Sequence, residues 1–244
     1  MMHRETQNPA LRNLTVGVAT TGETVTIAGV SFKTALLLGL AMLTALWPWT
    51  LASDPEAAGT VNILMVTGLI GGLVLALVTI FSQRVAPYTA VGYALFEGLF
   101  LGGITAMYEA AYPGIAINAG LLTMGLFTSI LAAYATGIVR VTGKFKAFIL
   151  VSMGAIFFTY MADILLSFFG TSVPFLHDSG MLGLGVAVFI VVIATLSLAL
   201  DFDFIQSLEE QGAPKRLEWY AAFSLMVGLV WLYLSVLRLL SRRD

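Results

Sequence analysis

Cysteine is absent from the 244 residues, and charge is scarce: 12 Lys and Arg stand against 14 Asp and Glu, together 11% of the chain. Without cysteine there is no thiol nucleophile, no thiolate metal site and no disulfide, and the redox compartment cannot be read. Histidine is almost missing. His3 and His177 both lie outside the apolar runs described below, which argues against a zinc site or a membrane metalloprotease. A formal charge of −2 offers no basic face to nucleic acid. Neither Gly-x-x-x-x-Gly-Lys-Ser/Thr nor Gly-x-Gly-x-x-Gly occurs, so nucleotide chemistry has no motif to rest on. No lysine falls inside an apolar run, which excludes a retinal Schiff base, and no Gly-x-Gly-Asp surrounds an aspartate, as an aspartyl membrane protease would need. The expectation is a protein that is not an enzyme and holds no cofactor.

What the chain has in excess is apolar surface. Hydrophobic residues make up 59% of it, against roughly 45–50% in soluble domains. They are gathered in runs, and a bilayer core of about 30 Å needs a helix of about 20 such residues. Seven runs qualify: 34–51, 61–82, 89–108, 115–139, 147–169, 181–205 and 217–240. The runs do not alternate with a period of two, so helices are expected rather than barrel strands. The fold class is therefore an all-α membrane protein, a bundle of seven transmembrane helices over 34–241. The first run is the shortest and closes on Trp47-Pro48-Trp49, aromatic residues suited to a membrane interface. Residues 1–33 are polar and lack a signal-peptide pattern, and they read as a mostly flexible cytoplasmic tail, with partial packing on the bundle as the alternative.

Lys and Arg set the expected orientation. The second, fourth and sixth loops carry Arg84, then Arg140, Lys144 and Lys146, then Lys215 and Arg216, while the other three carry none. The N-terminal segment adds Arg4, Arg12 and Lys33. The N-terminus and even loops should then be cytoplasmic and the C-terminus outside. Arg242 and Arg243 oppose this, and a re-entrant last segment is the rival arrangement.

An acid at membrane depth costs roughly 2.5–3.5 kcal/mol to insert, so each one is a functional candidate. Glu97 lies near the middle of the third run. It is either a protonatable group or cation ligand lining the bundle, or a neutral acid hydrogen-bonded to a neighbouring helix. Asp201 and Asp203 close the sixth run, two residues and therefore about 200° apart on a helix. They read as a carboxylate at an inner gate, or as acids capping an apolar run. Glu218 begins the seventh run, where the helix dipole favours an acid. Asp163 lies in the outer third of the fifth run, within reach of water or in a packing role. Gly68-xxx-Gly72 and Gly98-xxx-Gly102 put small residues one turn apart, a spacing that lets the second and third helices approach closely.

Three stretches resemble the transmembrane Bax inhibitor motif family in its bacterial branch. Ala90-Val-Gly-Tyr-Ala-Leu-Phe-Glu-Gly-Leu-Phe-Leu-Gly is similar to the family's third span. Leu200-Asp-Phe-Asp-Phe-Ile resembles the end of its sixth. Ala213-Pro-Lys-Arg-Leu-Glu-Trp-Tyr-Ala-Ala-Phe, with Val230-Trp-Leu-Tyr-Leu-Ser-Val-Leu-Arg-Leu-Leu, looks like its last helix. The resemblance implies seven helices with the last one central. It also implies a pH-sensitive calcium or cation leak in a bacterial inner membrane, gated near the cytoplasmic side by two acids sharing a proton. Asp201 matches the sixth-span acid, with Asp203 as the alternative register, and these two are the weak calcium candidates. Arg84 matches a basic latch on that acid. The chain departs from the pattern in the last helix, where Met226-Val-Gly-Leu-Val-Trp-Leu-Tyr carries no acid. A single acid with Arg84, or a pair completed by Glu218 or Glu97, is then expected. The partners implied are the lipid bilayer and calcium or another cation. The other reading from the resemblance is a non-conducting regulator or substrate of a membrane quality-control protease.

Overall fold

The computed structural model describes residues 23–173, 176 and 180–242. Most of the expected tail, together with His3, His177 and Arg243, lies outside the described residues. Among the described residues seven long helices follow in order: α1 Ile27–Leu51, α2 Ala58–Phe81, α3 Ala86–Ala111, α4 Ile115–Ala135, α5 Gly143–Ser167, α6 Met181–Glu210 and α7 Leu217–Leu240. Single 3₁₀ turns, Pro55–Ala57 and Gln83–Val85, lead into α2 and α3. The shortest helix has 21 residues and the longest 30. At a rise of ~1.5 Å per residue these cover roughly 31–45 Å, and all seven are long and apolar enough to cross a membrane. Among the described residues the only strand-like pairing is an isolated bridge between Thr24 and Pro214.

The helix ends follow from local chemistry. Thr26 adopts an extended backbone and its Oγ1 accepts the Gly29 N–H at 3.0 Å, so α1 starts at Ile27. That is seven residues before the expected 34. Lys33 marks the edge of the apolar run in the sequence, but in the structure its charge is matched and the helix passes through it. Residues 23–33 are thus the part of the N-terminal segment that packs on the bundle. Gly137, with φ 72°, follows the end of α4 at Ala135, short of the expected 139. Thr142 caps α5 by accepting the Phe145 N–H. At the other extreme α6 runs to Glu210, beyond the expected 205, and the chain turns at Gly212 with φ 61°.

Glycine sets the tightest contacts. A Cβ on Gly68 would lie 2.6 Å from both the Phe96 carbonyl oxygen and the Phe100 nitrogen, so α2 and α3 touch backbone to backbone there. Gly98 and Gly102 serve a different helix from the one expected. A Cβ on Gly98 would lie 2.2 Å from the Ala41 carbonyl, and one on Gly102 would lie 2.2 Å from the Ala45 carbonyl. Their face receives α1, while Gly68 and Gly72 let α3 sit against α2. Small residues permit this approach where both partners are apolar and only packing drives association.

The last helix is central. It packs on α1, α3, α4 and α6, and Ala221, Ala222, Met226, Leu232, Val236 and Leu237 along it are fully buried. By contrast, α5 lies at the periphery, packed mainly on α6. Large apolar side chains such as Phe32, Met42, Ile63, Val151 and Phe158 are 68–72% exposed. Exposure on that scale belongs to a surface solvated by lipid. Because α7 spans without a break, the re-entrant alternative does not hold. Arg242, whose charge had argued for it, donates to the carbonyls of Gly183 and Leu176. Backbone oxygens in the first turn of α6 and in the segment before it therefore engage this cation, and it needs no place at the basic end of the bundle.

Candidate functional site

The extra turns of α6 put Asp201 nine residues inside the helix, so it does not cap an apolar run. Facing it on α7 is Ser224, whose Oγ donates to Asp201 Oδ1 at 2.6 Å. One turn further along α7 is Gly228, where a Cβ would come within 3.0 Å of Asp201 Oδ2. Gly228 therefore makes the room the carboxylate occupies. Ser224-x-x-x-Gly228 is a small pair at one-turn spacing in an otherwise bulky helix. That was the signal by which sequence reading could have found both residues.

Asp201 and Ser224 line a cavity of about 580 Å³ bounded by α2, α3, α5, α6 and α7. Its polar lining residues are Asp201, Ser197, Ser224, Tyr93, Tyr160, Tyr220 and Trp231, and the rest are apolar. Among the described residues no Lys, Arg or His lines it. Asp203 points elsewhere, as the 200° offset requires. It lines a separate cleft of about 530 Å³ at the basic end, with Tyr134, Arg140, Gln206 and Glu210. In that cleft the Tyr134 hydroxyl donates to Gln206 Oε1 at 2.8 Å. The two aspartates therefore do not share a ligand or a proton. Among the described residues no group of three or more His, Cys, Asp or Glu is placed to hold a metal ion.

Arg84 is exposed in the 3₁₀ turn Gln83–Val85, and it forms no ion pair with a described carboxylate. The expected latch between Arg84 and Asp201 is not formed in this structure, and Ser224 takes that position.

Glu97 lies in the middle of α3 and is 8% exposed. It lies beside Tyr93, one turn earlier on the same helix, and packs against α2, where a Cβ on Gly72 would lie 3.1 Å from its Oε2. Tyr93 in turn forms part of the cavity wall and meets Phe223 edge-on at 5.0 Å. Glu97 is thus one side chain removed from the cavity, with Tyr93 between them.

Glu218 is fully buried and locked in place. It accepts the Thr26 N–H at 3.0 Å and the Thr26 hydroxyl at 3.1 Å, and it forms an ion pair with Lys33. Gly29 lies directly against it, since a Cβ there would be 2.3 Å from Oε1. Lys33 also sits over the Trp219 ring at 5.4 Å. Around this pair residues 23–27 are strapped to the α6–α7 connection. Val25 N–H donates to the Ala213 carbonyl at 2.8 Å, Lys215 N–H to Glu23 at 3.0 Å, and Ile27 N–H to Glu209 Oε1 at 2.9 Å. Glu23 hydrogen-bonds the Lys215 ammonium and holds its pKa above the ordinary lysine value. The sequence places Glu218 at a helix start, where the dipole favours it, but gives no sign of a partner 185 residues away.

Asp163 lies toward the opposite end, accepting the Val173 N–H at 2.8 Å and holding the chain that leaves α5. Glu109 does similar work at the start of α4, accepting from the Gly114 and Ala116 N–H groups. Of the six candidate residues, only Asp201 lines the apolar cavity, and Glu97 reaches its wall through Tyr93.

No curated protein and no solved structure matches the chain. The model of the family described as Bax inhibitor 1 like matches residues 6–243, nearly the full length. With seven apolar helices, a central last helix and that match, the chain belongs to the Bax inhibitor 1 like family of membrane proteins.

Proposed function

We propose that this protein is a passive, pH-responsive cation leak in which ionised Asp201 supplies the charge that draws a cation into the bundle. The observation that carries this reading is the cavity itself, which among the described residues is lined by one carboxylate and by no Lys, Arg or His. An unpaired acid at this depth is costly, and attracting a cation is a use that accounts for its presence. Two further features favour one acid over a proton-sharing pair. Asp203 lines a different cleft, and Glu218 is bound by Lys33 and Thr26.

The sign follows from the charge. Around Asp201 the titratable groups on the cavity wall are Tyr93 from α3, Tyr160 from α5 and Tyr220 from α7, and α2 contributes only Ala76 and Ile80. Tyrosines stay neutral across the physiological range, so of these wall groups the carboxylate alone changes charge, with Glu97 set behind Tyr93. Protonating Asp201 removes the attraction, and flux falls as pH falls. Calcium takes six to eight oxygen ligands, and this cavity offers few. Weak and poorly selective passage is the corresponding behaviour. The basic loops support a cytoplasmic N-terminus, and the resemblance to the bacterial branch supports a bacterial inner membrane.

The test is calcium entry into liposomes containing the purified full-length chain, measured between about pH 5 and pH 8. Flux should fall toward the acid end, Asp201→Asn should abolish that dependence, and Asp203→Asn should keep it. A flux insensitive to pH, or unchanged by Asp201→Asn, overturns the proposal.

A further inference from the structure

The cavity beside Asp201 has features that a hydrated metal ion does not use. Its volume of about 580 Å³ falls in the range of roughly 300–1,000 Å³ typical of small-molecule sites. Its wall is rich in aromatic rings, among them Tyr93, Phe157, Tyr160, Tyr220, Phe223 and Trp231. Ring faces attract cations, and most strongly where water is excluded. Three of the lining residues, Ile80, Leu150 and Phe157, are large, apolar and 51–58% exposed. They come from α2 and α5, and the second of these is a peripheral helix packed mainly on α6. The mouth they form is greasy and faces the lipid side of the bundle. Oδ1 of Asp201 is engaged by Ser224, and among the described residues no Lys, Arg or His lines the wall to neutralise the carboxylate. Arg238 stacks over the Tyr160 ring at 4.7 Å and donates to the Tyr160 hydroxyl, so this cation is engaged by a wall tyrosine and is not itself among the lining residues.

We propose that this cavity is a binding site for bulky amphipathic monocations of the quaternary ammonium or phosphonium class, entering sideways from the bilayer. The cationic centre sits against Asp201, and the aryl or alkyl arms fill the aromatic wall. Charge complementarity selects this occupant over a neutral lipid chain, because one uncompensated carboxylate in an apolar pocket is matched by one cation carrying its own apolar surface. The site shares Asp201 with the proposed leak but does not depend on conduction. Binding without flux would leave this inference standing, and flux without binding would leave the leak standing.

The test uses the full-length protein in lipid nanodiscs with tetraphenylphosphonium as the probe, its free concentration read by a selective electrode. Empty nanodiscs correct for partition into lipid. Saturable binding of one cation per chain is expected, with triphenylphosphine oxide, neutral and of similar shape, competing at least about tenfold more weakly. Asp201→Asn should weaken binding by about tenfold or more. Leu150→Trp, which fills the mouth at a position already facing lipid, should weaken it while leaving the charge in place. Binding no greater than to empty nanodiscs overturns the proposal. So does equal affinity for Asp201→Asn, or equal competition by the neutral oxide, which would make the site an apolar lipid groove. The comparison of cation with oxide needs no variant and stands even if Asp201→Asn does not fold.

Discussion

Removing the carboxylate of Glu218 gives the sharpest forecast for the basic end of the bundle. The side chain is fully buried, and its partner Lys33 keeps only 15% of its side-chain surface. In Glu218→Ala the Lys33 ammonium loses its counter-ion, and both the Thr26 N–H and the Thr26 hydroxyl lose an acceptor. Breaking one side of a buried pair typically costs about 3–5 kcal/mol. Residual exposure of Lys33 places this case near the lower end, at about 3 kcal/mol. Lys33→Met should cost a similar amount, since Glu218 then keeps only the two Thr26 donors. The double variant Lys33→Met with Glu218→Met removes both charges and refills the volume. It should be less destabilised than either single variant, with a coupling of about 2 kcal/mol or more. The assay is reversible unfolding in mixed micelles titrated with sodium dodecyl sulfate, followed by tryptophan fluorescence, which Trp219 reports from within the strap. Simple addition of the two single effects would refute the reasoning, because it would mean that the pair carries no buried interaction.

Other outcomes follow from the same contacts. Gly98→Ala puts a Cβ 2.2 Å from the Ala41 carbonyl and should destabilise by about 1–3 kcal/mol. Gly39→Ala meets nothing within 4 Å and should be neutral or stabilising by about 0.5–1 kcal/mol in the same unfolding assay. Ser224→Ala removes a hydroxyl bonded to a carboxylate and should cost about 1.5–3 kcal/mol, with the fold retained by circular dichroism. Because the chain lacks cysteine, single cysteines at Ser53 and Arg216 give a clean topology test. An impermeant thiol reagent applied to sealed vesicles should label them from opposite sides.

Much of this was legible in the sequence because lipid imposes a simple rule: an apolar run of membrane length must satisfy its own backbone as a helix. Periodicity also separated Asp201 from Asp203, and the structure sends them to different cavities as a 200° offset demands. The failures have a common cause in long-range pairing. Lys33 read as the edge of a span because nothing near it in sequence neutralises it, yet Glu218 does so across 185 positions. Gly98 and Gly102 announced a close helix contact but not which helix makes it, and α1 takes the place expected of α2. Arg242 read as a misplaced charge because carbonyl acceptors leave no mark in a sequence. The expected pairing of Arg84 with Asp201 rested on resemblance, and here Ser224, a residue with no charge to draw notice, holds the acid.

The central claim is that Asp201 puts an uncompensated negative charge inside an apolar cavity. Ser197 lines the same cavity, and in this cysteine-free chain Ser197→Cys offers one thiol there. Its reaction rate with a cationic methanethiosulfonate, set against that with an anionic one of similar size, measures the local charge. The account predicts a strong preference for the cationic reagent that collapses when Asp201→Asn is added. Equal rates for the two reagents, or a preference that survives Asp201→Asn, would contradict it.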